Sequence, residues 1–291
     1  MARENKFKKF AQDIKPSAFS HPLDFLKALY VHLKENIAGY SYLKFSDDLG
    51  LGPCNASRLI ISGKRPLTEK AARKISDSIG LKKIERRFFL EMVVAHRSGN
   101  TETKKDKLSR MVEQKKLLTS DAQVRDQLSF FAEWYHAAIL ELMRTEDAAS
   151  DVGWIAERLV RKVTPKKISE SLVLLQKLGY LIFQPEAGKF VVTAKQVHTA
   201  SEVQGLAYMR FHQQSIDLAS DALTRLGASE RYVTSLTIGT SEETRRKIAK
   251  LMRNFLEDIA EMIEADAGVS DEVSQINLQS FPVARPPMRK R

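Results

Sequence analysis

The run from Tyr40 to Leu81, YSYLKFSDDLGLGPCNASRLIISGKRPLTEKAARKISDSIGL, constrains the fold more than any other part of the chain, because glycines cut it into three short helical stretches. Tyr42 to Leu49 has helical spacing, with Phe45 and Leu49 on one face. Gly50-Leu51-Gly52 then forms a tight turn. Glycine suits it because such a turn needs positive φ, and Leu51 plugs the angle between helices. Pro53 fits the first turn of the next helix, where its missing N–H would be unpaired anyway. On that helix Ala56, Leu59 and Ile60 are expected inward, leaving Asn55, Ser57, Arg58 and Ser62 outward. Gly63 ends it and Lys64-Arg65 follow at once. Leu67-Thr68 opens a third helix, with Ala71, Ala72, Ile75 and Ile79 inward and Gly80 as its stop.

A helix clamped on one side, with short polar groups and an Arg on the other, is what reading a DNA major groove requires. Arg58 has the paired donors that match guanine, Asn55 the amide that matches adenine, and Ser57 and Ser62 contribute hydroxyls. Lys64 and Arg65, at the helix end, suit phosphates, and Lys44, Lys82, Lys83, Arg86 and Arg87 are further phosphate candidates. Charge placement agrees. Residues 1–118 hold 25 Lys/Arg against 13 Asp/Glu, and the remainder holds 22 against 23. The whole basic excess therefore lies in the first part of the chain, which points that part toward a polyanion.

The stretch FSDDLGLGPCNASRLIISGKR…AARKISDSIGL resembles the lambda-repressor-type helix-turn-helix domains. One departure is the spacing of thirteen from Gly50 to Gly63, a residue longer than the common pattern, which shifts the register of the recognition helix. The whole chain resembles a bacterial family of paralogous transcription regulators in which such a head precedes a half of unknown function. The matching segments are SGKRPLTEKAARKI, ERRFF (85–89), SFFAEWYHAAILEL (129–142), WIAERL (154–159), LLQKLGYL (174–181), SLTIGTSEE and INLQSFPV. The resemblance implies a transcription-regulator role.

The remaining chain divides by pattern. Residues 1–21 form a basic arm, 22–97 the helix-turn-helix domain, and 98–119 a polar linker or solvated helix. Residues 120–200 read as winged-helix-like. A helical pattern puts Leu128, Phe131, Tyr135, Ile139 and Leu142 on one face; Trp154 to Leu159 is a short helix; and a helix capped by Thr164-Pro165 carries Ile168, Leu172, Leu175 and Leu178 inward. Short strands at 180–183 and 189–193 follow. Lys166 and Lys167 on the second helix, with Lys189 in the wing, offer a second DNA contact, although many winged helices only dimerise or dock proteins. Trp134, Tyr135 and His136 read as core aromatics with a satisfied histidine. Residues 201–284 read as a helix plus a strand-helix-strand unit, with alternation at 231–240 and 273–283 around a long amphipathic helix, and 285–291 as a disordered basic tail. Half-polar strands around one helix cannot close a core alone, so a homodimer or an effector pocket is expected there. The fold class is thus mainly α with small β elements.

No phosphate-cradling loop, paired-His motif or nucleophile elbow is present, so neither an enzyme nor a cofactor or metal is expected. The lone Cys54 reads as a small filler beside the recognition helix. Apolar runs fall short of bilayer length and the N-terminus lacks a signal-peptide core, so a cytoplasmic protein with no membrane partner is expected. The expected partner is double-stranded DNA. The competing class is a non-enzymatic protein-interaction adaptor built from the same modules. RNA binding fits less well, because only a few aromatics (Tyr40, Tyr42, Phe89) accompany the basic residues of the 40–87 stretch.

Overall fold

The structure, a computed structural model, describes residues 2–52, 54–97, 101–145, 148–193, 205–266 and 270–284, with side chains from Phe7 in the first helix and from Lys105 in the seventh. The fold is mainly helical: thirteen α-helices and one two-stranded sheet among the described residues. Two hydrophobic cores organise them.

The first core gathers α1 (Ala2–Ala11), α2 (Pro22–Asn36), α3 (Tyr42–Asp48), α4 (Ala56–Ile61), α5 (Glu69–Ile79), α6 (Lys83–Arg97) and α7 (Thr101–Leu118). Its centre is fully buried Phe25, Leu29, Leu33, Phe45, Leu49, Ile75, Ile79, Phe88 and Phe89. The stretch expected as a basic arm is part of this core, since Phe7 and Ala11 are buried and α1 packs on α2 and α5. A single turn at Pro16–Ala18 is held by Glu85, which is buried and accepts from the Ser17 amide at 3.1 Å and from its hydroxyl at 2.6 Å. The stretch expected as a linker or solvated helix is α7. It lies on α6 and α12 and buries Met111 and Val112.

The second core holds α8 (Ala122–Ala132), α9 (Trp134–Leu142), α10 (Val152–Arg158), α11 (Pro165–Lys177), the hairpin β1 (Leu181–Gln184)–β2 (Lys189–Val192) and α12 (Leu206–Arg225). The continuous helix suggested by the 120–143 pattern is two helices, because Glu133 is extended between them. That break frees a carbonyl and an amide, and one buried side chain takes both: Gln214 Nε2 donates to the Ala132 carbonyl at 2.7 Å, and its Oε1 accepts from the Trp134 amide at 3.2 Å. Three helices, α9, α10 and α11, with an antiparallel hairpin after the last, have the winged-helix order. The strands pair in the register Leu181 to Val192 and Gln184 to Lys189. Thr164 caps α11, accepting from the Lys167 amide, with Pro165 at the first position as the sequence suggests.

The C-terminal unit differs from its sequence reading. Helix α13 (Glu242–Ala265) forms, capped by Ser241, which accepts from the Thr244 amide. The flanking alternating segments are extended but not strands; beside them stands one isolated parallel bridge, Thr145 to Ser270. A strand needs a neighbour to hydrogen-bond, and residues 231–240 have none among the described residues. The helix stop expected at Gly268, and the tail 285–291, lie outside the described residues.

Candidate nucleic-acid interface

The interface begins with the clamp between α3 and α4. Ser41 caps α3, its hydroxyl accepting from the Lys44 amide at 3.3 Å. Helix α3 ends in a glycine motif. Gly50, at φ +69°, donates to the Asp47 carbonyl, and the Leu51 amide reaches back to Ser46. This reversal sends the chain across α3 and seats α4 on it. Pro53 lies outside the described residues, and α4 begins at Ala56 with Asn55 at its cap position. Beneath α3, Tyr30 stacks on Tyr42 at 3.7 Å and packs on Phe45 at 5.4 Å. The Tyr40 hydroxyl donates to Asp48 at 2.8 Å, and burial, with that carboxylate beside it, pushes the phenol well above its ordinary range.

Two serines join the helices. Ser46 and Ser57 are both buried, with hydroxyls 2.7 Å apart. Ser46 Oγ accepts from the Ser57 amide at 3.0 Å, and both hydroxyls contact the Tyr42 carbonyl, at 2.9 and 3.1 Å. Ser57 is therefore turned inward against α3, not outward as expected from the sequence. It faces α3 because helix positions 56, 57 and 60 share the inner face, and an inward hydroxyl is tolerated where it meets Ser46. Leu59, expected inward, is 40% exposed for the same reason. The outer face of α4 is Asn55, Arg58, Leu59 and Ser62, spaced i, i+3, i+4 and i+7 on one side. Leu59 was missed as a candidate because an apolar residue reads as core, although an exposed apolar side chain on such a face suits a thymine methyl.

The end of α4 aims the basic pair. Gly63, at φ +71°, donates to the Ile60 carbonyl, and the Lys64 and Arg65 amides return to Leu59. Arg58, Lys64 and Arg65 are exposed and lie in no ion pair among the described residues. The other candidates are placed differently. Lys44 is held by Asp48 and Asp47 on its own helix. Lys82 immediately precedes α6, and Lys83, Arg86 and Arg87 lie in its first turns; α6 packs on α2, α5 and α7 rather than on α4, so they form a separate group. Within it Arg86 pairs with Asp77 and Arg87 with Glu91, while Lys82 and Lys83 are exposed. Exposed pairs of this kind contribute about 0–1 kcal/mol and yield readily to a phosphate.

In the second core, Lys166, Lys167 and Lys189 are exposed, Lys166 lying 3.9 Å from Glu170. His136 is buried, its Nδ1 2.7 Å from the Ser171 hydroxyl; burial first, then nearby Lys116, pushes its pKa down to about 4. Trp134 and Tyr135 pack with that core, Tyr135 buried and Trp134 at its edge. Cys54 is exposed, its thiol 3.6 Å from the Leu51 carbonyl, so it fills no core space. Among the described residues no three His, Cys, Asp or Glu side chains gather as a metal site would need, and no helix is long and apolar enough to cross a membrane.

The architecture defines a mainly helical protein whose middle part has winged-helix order. Residues 101–283 match the family model described as a domain of unknown function, DUF4423, and the chain belongs to that family. The match starts at α7, so the clamped helix pair lies in the part that precedes it. No curated protein and no solved structure matches the chain.

Proposed function

We propose that the protein is a DNA-binding transcription regulator in which α4 enters the major groove. The observation behind this reading is the outer face of α4. Asn55, Arg58, Leu59 and Ser62 stand together on a helix locked by buried serines, and Lys64 and Arg65, exposed and in no ion pair among the described residues, follow at its end. A groove-reading helix needs rigid support on one side and short polar groups with Arg on the other. The Lys82–Arg87 group supplies further phosphate contacts. Lys166, Lys167 and Lys189 give the winged-helix part a second one, and the C-terminal part serves dimerisation or signal input.

The test is duplex binding by the full-length protein, followed by fluorescence anisotropy across a salt series. Affinity falling steeply with salt, with a residual preference among sequences, is the expected result. An acidic protein partner captured by the chain, with no duplex retained at low salt, would replace this reading with the adaptor one.

A further inference from the structure

Helix α13 has no buried residue, yet it is amphipathic from Ile248 to its end. Ile248, Met252, Phe255, Ile259 and Met262 recur at alternating spacings of four and three, the pattern of a seam between two packed helices. Leu251, Leu256 and Ile263 widen the stripe, and the last of these, like Met262, is about two-thirds or more exposed. At 1.5 Å per residue the helix is about 36 Å long, and the stripe from Ile248 to Ile263 covers about 24 Å of it. The segment leading into it is extended, with Tyr232, Leu236 and Ile238 exposed and its backbone unpaired among the described residues. An alternating segment with a free backbone is a strand without its neighbour.

The charge of α13 selects the occupant. From Glu242 to Arg253 the helix carries Arg245, Arg246, Lys247, Lys250 and Arg253 against two glutamates. From Asn254 to Ala265 it carries Glu257, Asp258, Glu261 and Glu264 and no basic residue. One helix therefore has a basic half and an acidic half. A surface that complements it has the same two halves in reverse order, and an antiparallel copy of α13 is such a surface. The helix dipoles favour the same orientation. A two-fold contact is also self-complementary by construction, so every favourable pairing occurs twice.

We infer that α13 and the extended segments flanking it form a homodimer interface, with the two α13 helices antiparallel and the segment 231–240 pairing as a strand with the partner copy. A stable interface uses roughly 20–30 residues a side, and one face of the 49 residues in α13, 231–240 and 270–284 supplies about that number. The inference stands apart from the DNA-binding reading: a head that ignores DNA leaves it untouched.

Light scattering on the full-length protein at micromolar concentration is expected to give a dimer. The acidic-half variant Glu257→Lys/Glu261→Lys and the basic-half variant Arg246→Glu/Lys250→Glu/Arg253→Glu each oppose like charges in their own dimers. Each is expected to dimerise about tenfold more weakly, and their mixture is expected to restore a heterodimer. On a Cys54→Ser background, Ile248→Cys and Met262→Cys proteins are expected to cross-link with each other and not each with itself. A monomeric wild type whose residues 248–263 resist hydrogen exchange would overturn the inference, because the stripe would then be covered by its own chain. A dimer indifferent to both charge variants, or self-cross-linking at Ile248→Cys, would overturn the antiparallel arrangement.

Discussion

Replacing Ser46 with alanine tests the clamp that presents α4, and its cost follows from the hydrogen-bond geometry. Ser46 Oγ is the acceptor for the Ser57 amide and sits 2.7 Å from the Ser57 hydroxyl, in a site closed to water. In Ser46→Ala that amide is left buried and unpaired, at a cost of about 1–3 kcal/mol. Ser57→Ala removes a hydroxyl but leaves its own amide bonded to Ser46 and leaves Ser46 bonded to the Tyr42 carbonyl. Its cost is about 0.5–1.5 kcal/mol, that of one ordinary hydrogen bond. The order of the two variants therefore separates this account from one based on hydroxyl loss alone. Amide hydrogen exchange of residues 42–61 in the full chain reads the local stability of the pair. Both fluorescence-reporting tryptophans belong to the other core, so a tryptophan melt would miss the effect. Ser46→Ala should accelerate exchange more than Ser57→Ala, and Ser57→Ala should keep the wild-type sequence preference on DNA. Equal effects, or a changed preference in Ser57→Ala, would refute the assignment of Ser57 to the clamp.

Three further outcomes are expected. Arg58→Ala should lose about 1–3 kcal/mol of discrimination at one position of the target, whereas Lys64→Ala should weaken all duplexes alike and reduce the salt slope by about one, both read by anisotropy competition. Gly63→Ala has open space for its Cβ but must hold φ +71°, so it should cost about 1–2 kcal/mol of head stability by hydrogen exchange, with no cavity or clash involved. His136 is neutral in the folded state, with its pKa down at about 4 against an ordinary 6.5. The unfolded chain therefore binds the extra proton first as pH falls. The stability tied to neutral His136 is whole above pH 6.5 and drains away toward pH 4, by about 3 kcal/mol. Urea unfolding followed by the fluorescence of Trp134 and Trp154 should show that loss, and His136→Asn should flatten it.

The legible parts of the fold were those in which one residue fixes a local geometry. Gly50, Gly63 and Gly80 end their helices with positive φ, Thr68 and Thr164 cap theirs, and the apolar spacing of α5 and α11 names their buried faces. The faces of α4 were harder. Six residues make less than two turns, so the assignment of Ser57 and Leu59 depends on where the helix begins. The pattern also implied a helix beginning at Pro53, whereas α4 begins at Ala56. The pairing of Ser57 with Ser46 spans eleven residues and leaves no periodic trace. The break at Glu133 was hidden for a similar reason, since its support comes from Gln214, eighty residues on. The C-terminal alternation was real as a pattern of residues, but a strand is a property of two chains or two segments: among the described residues 231–240 have no backbone partner, and the later segment touches the rest of the chain through the Thr145–Ser270 bridge and the Asn277 amide on the Ser215 carbonyl.

The most direct measurement of the central claim is selection from a pool of random duplexes by the full-length protein, run in parallel with its Arg58→Ala variant. The account predicts an enriched motif for the wild type, palindromic if the α13 interface forms, and a loss of preference at one position of each half-site in the variant. No enrichment over the starting pool at low salt, or the same motif from both proteins, would contradict it.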